Sequence, residues 1–362
     1  MYDEEITVIK LYVLLVLTCL SGCVKKQLDV ENSSILPQQL PIAVSNNAVA
    51  YVSVDGADQF YTFNGLLAGK TYQDITNQAY VWKKGRWQQL TVPDSQLPVL
   101  ASVAVTANGH VYLFGGYTVA EDHSEKSIPN VWKIDPHTDH WTAMPSMPTP
   151  VDDTVALVYK DRYIYLISGW HDVGNVDLVQ VFDTVNQTWH QATAFPLPPV
   201  FGHAGGILGD HMVICDGVKA VRIENKNHFS PSPACAIGQI SDKNLTQIDW
   251  QIINHHSGTA FYRMAAAGDD LSKIYFMAGS DNPYNYDGIG YNTLPAVPSN
   301  QVRIYDIDTK KWLIVDDSIP ASMDHRGLMK TPQGFVILGG MAEQQNVINT
   351  VTYYKEQNKR EH

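Results

Sequence analysis

The feature that most constrains this chain is a short apolar run that stops at glycine and then returns. His110 to Phe114 ends at Gly115-Gly116, and a long polar loop leads to Val131-Trp132-Lys133-Ile134, a turn at Asp135-Pro136-His137-Thr138, and a third run opening at Trp141. Strand-forming residues punctuated by Gly, Pro and Asp read as an antiparallel meander. Similar runs end at Gly169, Gly279 and Gly340, with fainter copies ending at Gly65 and Gly217. The six closing glycines, Gly65, Gly116, Gly169, Gly217, Gly279 and Gly340, are spaced by 51, 53, 48, 62 and 61 residues. A unit this small cannot bury its own faces, so the copies must stack on one another.

The runs predict strands at Phe60–Phe63, Val111–Phe114, Tyr163–Ile167, Met212–Cys215, Ile274–Met277 and Phe335–Leu338. Each is apolar at consecutive positions, as a strand buried on both faces should be. The class is all-β, and 44% hydrophobic against 17% charged residues excludes a disordered chain. An apolar strand closing in glycine, an aspartate-bearing turn and then a tryptophan (Trp141, Trp189, Trp312) resembles the kelch motif, whose repeat is about 50 residues. The resemblance covers about Asn46 to Lys355. It implies a six-bladed kelch-type β-propeller, a single ring that takes residues 23–362 as one domain. The last unit ends soon after Tyr354, so Gln27 to Leu36 are expected to supply the outermost strand of the sixth blade.

The N-terminus reads as an address. Leu11 to Leu20 is an apolar run shorter than the ~20 residues that span a bilayer, and it fits the core of a signal peptide. Leu20-Ser21-Gly22-Cys23 resembles a bacterial lipobox, which implies a signal over residues 1–22, lipidation at Cys23 and an outer-membrane anchor facing the periplasm or the exterior. Asp3, Glu4 and Glu5 depart from the basic start of secretory signals. Of the remaining cysteines, Cys215 and Cys235 either pair in an oxidising compartment or stay as buried thiols. A net charge of −12 without a basic cluster argues against nucleic acid, leaving the lipid as the only expected link to a membrane.

Hairpin alternation puts the entry to each inner strand on the same face as the loop between the second and third strands. That face collects Asp152-Asp153, Phe201 to His203, Tyr262-Arg263 and Asp324 to Arg326 with Trp170 to Asp172, Arg222 and the tyrosine-rich loop Ser280 to Asn300. Rings beside amides and carboxylates suit a small polar ligand or glycan. The candidate ligand-binding residues are His203, Arg222, Tyr262, Arg263, Tyr284, Tyr286, Tyr291, Asp324 and Arg326. Arg263 and Arg326 would either hold a ligand carboxylate or neutralise Asp153 and Asp324 across the channel.

No cofactor and no metal are expected. His255-His256 would point to opposite sides of a strand, and Gly202-His203-Ala204-Gly205-Gly206 lacks the lysine and helix of a phosphate loop. Among exported kelch propellers the chain looks most like the sialic acid mutarotase (N-acetylneuraminate epimerase) type. In Gly217-Val218-Lys219-Ala220-Val221-Arg222, Arg222 matches that family's pattern and Val218 stands where it has a catalytic glutamate. The chain also resembles the kelch part of galactose oxidase, without its copper-binding set. A lipid-anchored binding module, a mutarotase-like enzyme and a protein-interaction scaffold are the functions these residues leave open, with no catalytic residue assigned.

Overall fold

A computed structural model describes residues 36–224 and 226–355. Five four-stranded antiparallel sheets follow one another along the chain, and a sixth has three consecutive strands. The first blade is Ala48–Val54, Ala57–Leu66, Ile75–Lys83 and Arg86–Gln89, and the sixth is Met329–Thr331, Gly334–Leu338 and Val351–Tyr354. All six predicted runs fall on the second strand of a blade. The arrangement is a six-bladed β-propeller.

Consecutive apolar positions are explained by what lies on either side of each second strand. In the third blade Tyr165 and Ile167 pack toward Met212 and Ile214 of the fourth, whereas Ile164 and Leu166 pack toward Tyr112 and Phe114 of the second. A separate apolar cluster fills each of the six junctions between neighbouring blades. Burial of this kind is worth about 25 cal/mol per Å². The outer-strand tryptophans fasten the joints from outside. Trp189 Nε1 donates to the Pro145 carbonyl at 2.9 Å, and Trp312 Nε1 to that of Asn254 at 2.7 Å, each acceptor lying just beyond the preceding blade's outer strand.

Trp87 repeats the contact with Gln39, at 2.6 Å, so the N-terminal segment stands where the sixth blade's outer edge should be. Leu40 N–H donates to the Asn349 carbonyl at 2.8 Å, and Gln39 pairs antiparallel with Thr350. Closure from the N-terminus is as expected, but the observed pairing lies downstream of the expected stretch. Residues 27–35 of that stretch, the lipobox and Cys23 lie outside the described residues. Pro37 has no N–H to give to Val351–Tyr354, and its carbonyl instead accepts the Tyr353 hydroxyl at 2.7 Å.

The closing glycines are required by contact as well as by turn geometry. At Gly116, where φ is +96°, a Cβ would stand 2.5 Å from the Leu100 carbonyl oxygen. That carbonyl belongs to the entry of the same blade's inner strand, and Leu100 pairs with Tyr117 just past the glycine. Equivalent bridges join Asp152 to Trp170, Phe201 to Val218 and Tyr262 to Ser280. The long loops are thereby tied to the inner-strand entries on one face of the ring.

Candidate functional site

A backbone kink at the rim of the channel precedes each inner strand, by two residues in blades one to five and by five in the sixth. Asn46, Ala101, Asp153, Gly202, Arg263 and Asp324 occupy this position in blades one to six, and all have φ between 49° and 71°. They are linked around the axis. Asp153 N–H donates to Ala101 O (3.2 Å), Gly202 N–H to Asp153 O (3.0 Å), Arg263 N–H to Gly202 O (2.8 Å), His325 N–H to Arg263 O (3.2 Å) and Asn46 N–H to Asp324 O (3.1 Å). The Asn46 side-chain oxygen takes the Ala101 N–H at 2.5 Å and completes the circuit.

The side chains on this ring plug the channel. Arg263 gives Nε and Nη2 to the two oxygens of Asp153 at 3.2 and 2.6 Å, and Nη1 to Asp324 Oδ1 at 2.9 Å. Arg326 Nη1 also contacts Asp153, and Asn46 Nδ2 donates to Asp324 Oδ1 at 3.0 Å. Burial alone would push the Asp153 carboxyl up, but the neighbouring Arg263 and Arg326 guanidiniums more than reverse this and hold it below its ordinary value. Of their two expected roles, Arg263 and Arg326 perform the second: they neutralise Asp153 and Asp324. The Arg263 fork is fully used, and ring closure brings two buried carboxylates within ion-pair reach of both guanidiniums.

Above the plug lies a cavity of ≈ 290 Å³. Its walls are the loops after the second strands of blades two to five. In blades two, three and four these are two-stranded hairpins, Tyr117–Val119 with Glu125–Ser127, Trp170–His171 with Gly174–Asn175, and Val218–Ile223 with Lys226–Pro231. Tyr117, Trp170, Phe201, Phe229, Tyr286 and Tyr291 supply rings. Phe229 stacks on Tyr291 with centroids 4.2 Å apart, and Trp170 meets Phe201 edge-on at 5.4 Å. Glu125, Asp152, Asp153, Asp172 and Arg263 line the same space with Asn227 and Asn285.

Asp152 is 2% exposed, and its Oδ2 accepts the Ser127 hydroxyl at 2.6 Å. Burial, followed by the adjacent Asp153 charge, raises its pKa well above its ordinary value. Glu125 is raised as well, first by desolvation and then by Asp153, against the opposing pull of Arg263.

The expected residues divide by depth. Arg263, Tyr286 and Tyr291 line the cavity. Tyr262 and Tyr284, 1% and 0% exposed, lie beneath it and cross edge-to-face at 5.0 Å, forming the floor on which Arg263 rests. Asp324 and Arg326 are in the plug. His203 is buried deeper in the channel, where its Nε2 meets the Ile167 carbonyl at 2.9 Å and burial pushes its pKa down to about 4. Arg222 is exposed on the fourth-blade hairpin opposite Asn227, with Val218 buried at the hairpin's base. The stretch resembling the mutarotase catalytic segment therefore does not bring Arg222 into the cavity lining. Glu125, Tyr117 and Phe229 were missed because their hairpins carry no short motif; the β-hairpin alternation of Ala220, Phe229 and their neighbours was the only available signal.

Cys215 and Cys235 face each other across adjacent strands of the fourth blade and are joined in a disulfide, Cα atoms 4.2 Å apart. The next residue, Asp216, corrects the expectation for the histidine pair. Ile253 ends the strand, so alternation no longer applies, and both rings turn onto Asp216: His255 Nε2 to Oδ1 at 2.5 Å and His256 Nε2 to Oδ2 at 2.9 Å. These ligand-type atoms lie within 4.8 Å of one another. However, His255 Nδ1 accepts the Gly258 N–H at 2.8 Å, so its proton sits on Nε2, the atom a metal would require. Phe261 N–H fills Asp216 Oδ2 further, at 3.0 Å. The cluster is built as a clamp between blades four and five.

Residues 45–232 match the model of the KLHDC2/KLHL20/DRC7 Kelch-repeats domain. Kelch-like protein terF of Aspergillus terreus is 27% identical over 305 residues, covering 78% of this chain and 60% of that protein. Kelch domain-containing protein 3 of Homo sapiens is 22% identical over 225 residues, covering 58% of this chain and 55% of that protein. The chain thus spans 60% or less of the length of these relatives. The solved structure of YjhT matches with a TM-score of 0.70 at 15% identity, over 90% of this chain and 98% of that one, a likeness of fold.

Proposed function

The chain belongs to the kelch-repeat family, and from that premise we propose that it binds a small polyhydroxylated ligand, of the size of a sugar ring, at one mouth of its channel. The observation that carries this is the ≈ 290 Å³ cavity faced by six aromatic rings and edged by carboxyls and amides. Flat rings cover the apolar face of a pyranose, and the polar edge satisfies its hydroxyls. The volume is at the bottom of the roughly 300–1,000 Å³ range of small-ligand pockets, which favours a monosaccharide over a long chain. Delivery by a lipid anchor at Cys23 to the cell envelope belongs to the same proposal, as does the oxidising compartment that suits Cys215 and Cys235.

The test is calorimetric titration of the protein with a panel of monosaccharides, repeated with Trp170→Ala. Trp170 is half-buried and faces the cavity, so its loss should weaken any bound sugar about tenfold or more while the ring of blades stays folded. A panel with no binder, or a binder indifferent to Trp170→Ala, would overturn the reading.

A further inference from the structure

The charge on the cavity wall narrows the ligand class beyond a sugar ring. Four carboxyl groups, Glu125, Asp152, Asp153 and Asp172, line the space against one guanidinium, that of Arg263. Arg263 is already committed to Asp153 and Asp324, and the plug of Arg263, Arg326, Asp153 and Asp324 is balanced, two charges against two. What remains above the plug is Glu125, Asp152 and Asp172. Among the described residues Glu125 makes no ion pair, and Asp172 has only His171, with Nε2 3.8 Å from its carboxylate. The other titratable groups at the wall are His123 and the tyrosines, and Arg263 is its one guanidinium.

We propose that the ligand of this cavity is an amino sugar carrying a protonated amine, which sits on the carboxyl side of the pocket formed by Glu125, Asp152 and Asp172 while the rings of Trp170 and Tyr291 cover the sugar. The inference rests on the sugar-binding reading above. A ligand carboxylate would enter a space with no uncommitted guanidinium or ammonium and meet like charge. An ammonium gains from the same charges and also by lying against aromatic faces. Burial first, with the Asp153 charge adding to it, raises both acids above their ordinary values. An arriving cation beside them favours their charged forms.

The experiment compares D-glucosamine, D-glucose and D-glucuronic acid by calorimetry at pH 6.5, with the full chain and with Glu125→Gln. Glu125 lies on an exposed hairpin, so the variant keeps the fold. Glucosamine should bind at least tenfold tighter than glucose, and glucuronic acid more weakly than either. Glu125→Gln should lower glucosamine affinity about tenfold and glucose affinity little. Glucose binding as tightly as glucosamine, or glucuronic acid binding best, overturns the amine and leaves the sugar pocket standing. Failure of all three to bind overturns the sugar pocket and the amine with it.

Discussion

Replacing Arg263 by alanine tests whether the channel plug is a structural device. The guanidinium is 2% exposed and makes three charge-assisted hydrogen bonds to Asp153 and Asp324, which are 2% and 0% exposed. Removal leaves Arg326 against two buried carboxylates, and breaking a buried pair in this way costs about 3–5 kcal/mol. At about 2.1 cal/mol/K per residue over a ring of roughly 320 residues, each kcal/mol is about 1.5 °C, so the melting temperature at pH 7 should fall by roughly 5–7 °C. The sign with pH follows from the carboxylates. Asp153 is depressed in the native protein, so its stabilisation is present above the unfolded carboxylate pKa and is lost only as pH falls through the lower folded value. In Arg263→Ala that depression is weakened, Asp153 takes up its proton at a higher pH than in the wild type, and the deficit should shrink as the pH falls. Adding Asp153→Asn should recover part of the loss at pH 7. Thermal unfolding followed by circular dichroism between pH 4 and 7 reads all of this. A variant melting within 1 °C of wild type, or a deficit equal at both pH values, would refute the argument.

Other outcomes follow from the same geometry. Gly202→Ala places a Cβ on the Tyr262 ring at a left-handed φ of +62°, so it should destabilise by about 1–3 kcal/mol and disturb the cavity floor, measured by urea unfolding and sugar titration together. His203, held down at about pKa 4 by burial, contributes stability that is present above the unfolded value of about 6.5 and is lost as pH falls toward 4. His203→Gln should therefore flatten the pH dependence of the melting temperature between pH 6.5 and 4, and an unchanged slope would show that the ring accepts its proton without cost. Reducing the bond between Cys215 and Cys235, or replacing both by alanine, should cost about 3 kcal/mol for a loop of this length, seen as a lower denaturant midpoint.

The sequence by itself determined the blade. The consecutive apolar positions of Tyr163–Ile167 and its five counterparts are local, because a strand between two blades needs both faces apolar whatever its neighbours are. The glycine at the exit and the tryptophan of the outer strand are likewise answers to contacts that every repeat makes with itself or the blade before it, so they recur with the repeat and could be read at that spacing. The tertiary structure decided the plug and the pocket. Asn46 and Asp324 stand 278 residues apart and Arg263 and Asp153 stand 110 apart, and only closure of the ring makes them neighbours. No periodicity encodes that meeting, since the rim position carries Asn46, Ala101, Asp153, Gly202, Arg263 and Asp324 in turn, with no residue type common to the six. The same closure turned Arg263 and Arg326 from free donors into neutralised ones, and it is why the charge offered to a ligand comes from Glu125, Asp152 and Asp172. The turn of His255 and His256 onto Asp216 depended on where one strand stopped, a boundary that packing sets and propensity does not.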